Sequence, residues 1–186
     1  MDPHLQRLQK EIAAAVAGLT PEQLRQHPPG KWCTAEILEH LYLTYTGTLK
    51  GFERVVEAGK ALATTQTWKQ RGQTLVVIQF GYLPSGRDAP AVARPRGLAP
   101  EKVLAEIGPK IFEMDDNLAR CEKKFGSRRK LLDHPILGPL TAAQWRKFHL
   151  VHGLHHVKQI RSLREQNNQP RRKDSAAKTP APRQRS

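Results

Sequence analysis

The chain has 186 residues, 38% of them hydrophobic, and a formal net charge of +14. That length fits one domain with a sizeable core, and no apolar run approaches the length of a membrane span. Two cysteines, Cys33 and Cys121, exclude a disulfide framework, and residues 1–4 lack a basic, apolar leader, so the expectation is a soluble cytoplasmic protein.

Pro3 in a first-turn position opens a helix over residues 3–17, with Leu5, Leu8, Ile12 and Val16 as its apolar stripe and Gly18 as its stop. Thr20, Pro21 and Gln23 read as a cap, a first-turn proline and the returning half of a capping box, so a short helical turn follows. The second long helix starts after Trp32 and runs to about residue 58. Cys33 holds the place of a capping Ser, with Glu36 three residues on; a thiol is a poor cap, so this end leans on tertiary packing. Ile37, His40, Leu41, Thr44 and Thr48 line one side of that helix. Residues 66–83 are ambiguous: Val76, Val77 and Ile78 favour a strand, yet Trp68, Leu75, Ile78 and Tyr82 fit helical spacing. With no second clear strand to pair, a helix is expected there.

Pro84, Pro90, Pro95 and Pro100 mark a long loop, a candidate cover for a cavity mouth. Residues 99–125 form the next helix on Val103, Leu104, Ile107, Ile111, Met114, Leu118 and Cys121, and Pro109 inside it should kink or split it. Residues 134–140 read as a rigid connector, with His134 a loop residue fixed by the proline after it, and Thr141 caps the final helix. From Gln166 the chain is rich in Pro, Ser, Asn and Gln, with Arg171, Arg172, Lys173, Lys178, Arg183 and Arg185 against Asp174 alone. This composition predicts a folded domain over 1–165 and a disordered basic tail over 166–186, suited to weak nonspecific contact with nucleic acid. The remaining charge is scattered, without the Arg-rich face and interleaved aromatics that specific nucleic-acid binding asks for.

Histidine is where the chain concentrates its chemistry. Residues 145–163 carry His149, His152, His155 and His156 on one helix. At about 100° per residue, His156 falls about 40° from His152, on a face shared with Trp145, Phe148, Ile160 and Leu163. Two imidazoles one turn apart on an inward face can share a metal ion; the alternative is a core helix that happens to be rich in histidine. Leu150, Leu154 and Val157 form a second apolar face, to be buried against a neighbouring helix or a dimer partner. His40 also faces inward. Alone it reads as a hydrogen-bonded core residue; together with His152 and His156 it makes three imidazoles and an open position, the arrangement of a potentially catalytic divalent site.

The run Trp32, Cys33, Glu36, His40, Leu41 resembles the W-S-x-x-E-x-x-x-H-L segment of DinB-like (YfiT-like) proteins. The later run through His134, Pro135, Gly138, Pro139, Trp145, His152, His156, Gln159 and Ile160 resembles that superfamily's closing helix. The resemblance covers about residues 1–165, with Cys33 departing from the usual Ser. It implies an all-α fold, an up-down-down-up four-helix bundle with a long crossover, commonly a homodimer, and a three-histidine divalent site on His40, His152 and His156. It also implies a small-molecule substrate, with some relatives resembling metal-dependent hydrolases or transferases that use a low-molecular-weight thiol. Zn²⁺, Ni²⁺ and Fe²⁺ all suit imidazole. Gln159 is a candidate support for His156 or a catalytic group, and Glu36 a candidate base as well as a cap. His149 and His155 read as pocket-edge or hydrogen-bonding residues. Set against a metal-dependent enzyme are a non-catalytic metal-binding or stress-response protein and a charge-driven nucleic-acid binder.

Overall fold

The computed structural model describes residues 1–83 and 89–168. In order the chain forms α1 (Pro3–Val16), α2 (Pro21–Arg25), α3 (Thr34–Glu57), α4 (Trp68–Thr74), α5 (Pro100–Phe125), a hairpin of β1 (Leu132–His134) and β2 (Gly138–Leu140), and α6 (Ala142–Asn168). Helices α1, α2, α4 and α6 begin where side chains can satisfy free N–H groups. The Asp2 carboxylate accepts from the His4 N–H at 2.8 Å, and Thr20 with Gln23, and Thr141 with Gln144, close reciprocal capping boxes. At α3 the Glu36 carboxylate accepts from the Cys33 N–H at 2.8 Å.

Side-chain contacts fix the helix directions. The Tyr42 hydroxyl donates to Glu106 at 2.6 Å early in α3 and α5, while Gly59 lies beside Lys124 at the other end, so these two helices run parallel. Arg161 pairs with Glu11 at 2.6 Å and Asp2 lies 3.9 Å from Arg146, so α1 and α6 are parallel too. Phe52 meets Trp145 and His40 meets His152, which makes α3 and α6 antiparallel. The result is the all-α, up-down-down-up bundle, with α3 against α5 and α1 against α6 as its two large interfaces. Tyr45, Phe52, Leu5, Leu8 and Met114 are fully buried between them.

Parallel neighbours oblige the chain to travel back along the bundle between residues 57 and 100. That crossover holds α4, a π-helical turn at Leu75–Gln79 and a 3₁₀ turn at Ala91–Ala93. The expected helix is there, but not its expected face. Of the expected stripe only Ile78 is buried, with Thr74 and Val77 on the neighbouring face, whereas Trp68, Leu75 and Tyr82 are exposed. The buried Glu39 carboxylate holds the end of the crossover, accepting from the N–H groups of Arg96 at 2.6 Å and of Gly97 and Leu98 at 3.1 Å.

Two further expectations need correcting. Of the kink or split expected at Pro109, the split does not occur: helix α5 runs through the proline for 26 residues. One missing N–H is tolerated where an apolar stripe on both sides of the proline is packed against α3. Residues 132–140 are a small antiparallel hairpin rather than a bare connector, with Leu132 opposite Leu140 and His134 opposite Gly138. His134 closes its turn: Nδ1 accepts from the N–H groups of Ile136 and Leu137 at 3.1 Å.

The second apolar face of α6 is covered within the chain by α1. Leu150 and Val157 are buried, and Gly153 between them meets Leu8 so closely that a Cβ would overlap its side chain. Nearby, buried Arg146 pairs with Asp115 at 2.8 Å and Glu122 at 2.7 Å, and the Asp2 N–H donates to Asp115 at 2.7 Å, tying α1, α5 and α6 together. Helix α6 reaches Asn168, past the expected boundary at 165. The six basic residues of the expected tail, and Pro84, lie outside the described residues. Among the described residues no helix is long and apolar enough to cross a membrane.

Candidate metal centre

His40 stands two turns into α3, and His152 and His156 stand one turn apart on the antiparallel α6. Nε2 of His152 lies 3.2 Å from Nε2 of His40 and 3.2 Å from Nε2 of His156. The ligand atoms of all three lie within 4.8 Å of one another, and all three residues are buried. Nitrogens held about 2.0–2.1 Å from one tetrahedral ion sit about 3.3 Å apart, so both close spacings suit a shared cation.

The outer nitrogens decide what the inner ones can do. Nδ1 of His40 faces the Ala93 carbonyl at 2.8 Å, and Nδ1 of His156 faces the Gln159 amide oxygen at 2.8 Å. Both partners only accept, so both Nδ1 atoms carry the proton, and both Nε2 atoms present lone pairs toward His152. The single Nε2 of His152 can donate to one of them at most. A lone pair is left facing a lone pair inside the protein, and a cation is the group that complements it. The residues present therefore fit a divalent ion.

The electrostatics agree. Burial lowers His40, with the hydrogen bond to Ala93 acting the other way. Burial, then the neighbouring imidazoles of His156 and His40, pushes His152 well below the ordinary histidine value. Burial, then His40, takes His156 down to about 4. All three rings are neutral near pH 7, as metal ligation requires.

These histidines form part of the wall of a cavity of about 1170 Å³, which also takes in Trp32, Ile37, Val77, Leu83, Phe148 and Leu163. Trp32 leans over His40 with ring centroids 5.3 Å apart, and Phe148 stacks on His152 at 5.4 Å. The crossover supplies Ala93 and Val92 to the same cavity, so the segment expected to cover a mouth does border it.

Gln159 lines the cavity and bridges His156 to His155, its amide nitrogen 3.2 Å from Nε2 of His155. Glu36 does not line it. Its carboxylate is taken up by the Cys33 N–H and lies 3.5 Å from Nδ1 of His27. Cys33, His27 and Glu36 are also within ligand range of each other, a closeness that the helix cap and this contact account for. His149 is fully buried, stacked on Trp145 at 5.7 Å, and burial takes it down to about 3. The Ala93 carbonyl had no sequence signal, since any residue could supply it. The depth of His149 was legible only as its place on the same face as His152.

A family model, that of the DinB superfamily, matches residues 4–160. The chain belongs to the DinB superfamily. Comparison with curated proteins and with solved structures gives no match. This DinB protein thus carries both stretches on which the resemblance rested, and its fold brings their histidines to one point.

Proposed function

We propose that this chain is a divalent-metal-dependent enzyme, a hydrolase or small-thiol transferase, whose ligands are His40, His152 and His156. One observation carries the reading: three buried imidazole nitrogens converge in the wall of a large cavity, with no carboxylate or thiol beside them among the described residues. A closed structural site would bring a fourth protein ligand, whereas an ion held by these three histidines would keep a position for water or substrate. When bound there, a divalent ion supplies Lewis-acid polarisation and lowers the pKa of a coordinated water or thiol.

The chain's own residues do the rest. Ala93 and Gln159 hold the rings of His40 and His156 with Nε2 forward. Trp32 and Phe148 wall the site with apolar surface, which lowers the local dielectric and strengthens polar interactions made there. The apolar lining selects a substrate with an apolar body, bound in a volume just above the ordinary range for small-molecule sites. Zn²⁺, Ni²⁺ and Fe²⁺ each suit the three nitrogens.

Elemental analysis of untagged protein tests the assignment. The wild type is expected to hold one equivalent of metal, and His40→Ala or His156→Ala to lose it while keeping the helical circular-dichroism signal. Unchanged metal content in either variant discards the ligand set. A screen of amide hydrolysis and thiol conjugation on the loaded protein then separates the two reaction classes.

A further inference from the structure

Among the described residues, four buried side-chain polar atoms have no protein partner: the Tyr45 hydroxyl, both ring nitrogens of His149, and Nδ1 of His152. They belong to three neighbouring residues. The Tyr45 and His149 rings meet edge to face with centroids 5.4 Å apart. The Tyr45 hydroxyl lies 3.2 Å from where a Cβ would stand on Gly153, the residue after His152. His149 and His152 are three residues apart on α6 and so share a face. Trp145 stacks on one ring and Phe148 on the other, which limits how either can turn.

Packing alone does not account for an imidazole here. Tyr45 and His149 are both 0% exposed, and a phenyl ring at residue 149 would fill such a place without stranding two nitrogens. The other two ligands show what is missing. His40 and His156 each give Nδ1–H to an acceptor outside the site, and His152 has no direct counterpart. Outer partners of this kind fix the tautomer and orientation of a ligating histidine. A buried water with two to four polar partners is the ordinary way to join groups that stop short of each other.

We infer that His149 is the positioning residue for His152, acting through a buried water that takes the His152 Nδ1–H and is held by a His149 ring nitrogen and the Tyr45 hydroxyl. The inference rests on His152 being a metal ligand. It gives each of the three ligands an outer partner: a backbone carbonyl, a side-chain amide and a water-linked imidazole.

The test is Zn²⁺ affinity, by competition with a chromophoric chelator, beside thermal unfolding of the metal-free protein. His149→Phe is expected to weaken Zn²⁺ binding by about 10–100-fold, while the metal-free protein unfolds at the same temperature or higher, since two desolvated nitrogens are gone. His149→Gln, which restores a donor and an acceptor, is expected to recover part of the affinity. Tyr45→Phe, which removes one hydroxyl, is expected to bind measurably more weakly and serves if His149→Phe does not fold. Wild-type affinity in His149→Phe, or in Tyr45→Phe should the first not fold, overturns the inference and leaves the metal reading standing. No Zn²⁺ uptake by the wild type brings down the metal reading, and this inference with it.

Discussion

Gly153 is the one poor helix former in the histidine stretch, and its neighbours explain it. A Cβ there would run into Leu8 of α1, so the glycine sets how closely α1 and α6 approach. Gly153→Ala would return roughly 1 kcal/mol of helix propensity. Overpacking of a filled core costs about 1–3 kcal/mol. The collision is expected to win, lowering the melting temperature by a few degrees; a rise would show that Leu8 can move aside. At this scale the site was largely legible. The four-residue spacing of His152 and His156 and the inward face of His40 follow from helical periodicity alone. The Ala93 carbonyl did not, because a backbone acceptor leaves no mark on the residue type, and neither did the partnerless state of His149, which depends on what surrounds it from other helices.

Among the elements, the crossover differs most from the sequence expectation. The four long helices follow from their stripes and caps. The hairpin does not, because three-residue strands carry little periodic signal and Pro139 has no N–H to offer a partner. In residues 66–83 two adjacent faces share Ile78, and spacing alone cannot say which of them the neighbouring helices bury. What holds the crossover is Glu39, buried in α3 next to His40 and accepting from three successive backbone N–H groups. Glu39→Gln removes the charge and turns an amide N–H₂ toward donors. Hydrogen bonds to a charged group are worth about 1.5–3 kcal/mol, so amide exchange at residues 96–98 is expected to speed up about ten-fold or more, with α1 unaffected. Exchange at the wild-type rate would mean that packing, not the carboxylate, holds this segment. Because Ala93 supports His40 from the same crossover, the variant also reports on the site.

For the whole molecule, several buried imidazoles make stability depend on pH. Burial is the first cause that takes His134 and His156 down to about 4 and His149 down to about 3. In the unfolded chain these rings titrate near 6.5. Below that pH the unfolded state binds more protons than the folded one, so stability falls as the solution is acidified and levels off only near the folded values. The urea midpoint of the metal-free protein is therefore expected to drop steadily from pH 7 to pH 4.5, and His149→Phe to drop less. Equal slopes for the two proteins would show that carboxylates elsewhere cause the loss. The pairing of helices has its own outcome in time. The largest contacts join α3 to α5 and α1 to α6, helices that are not neighbours along the chain. Such an arrangement closes long loops before it gains packing, so folding should lag behind that of a bundle built from successive hairpins. During synthesis α1 leaves the ribosome well before α6, its main partner, so much of its apolar stripe waits uncovered in the meantime, which makes that helix a natural customer for a chaperone.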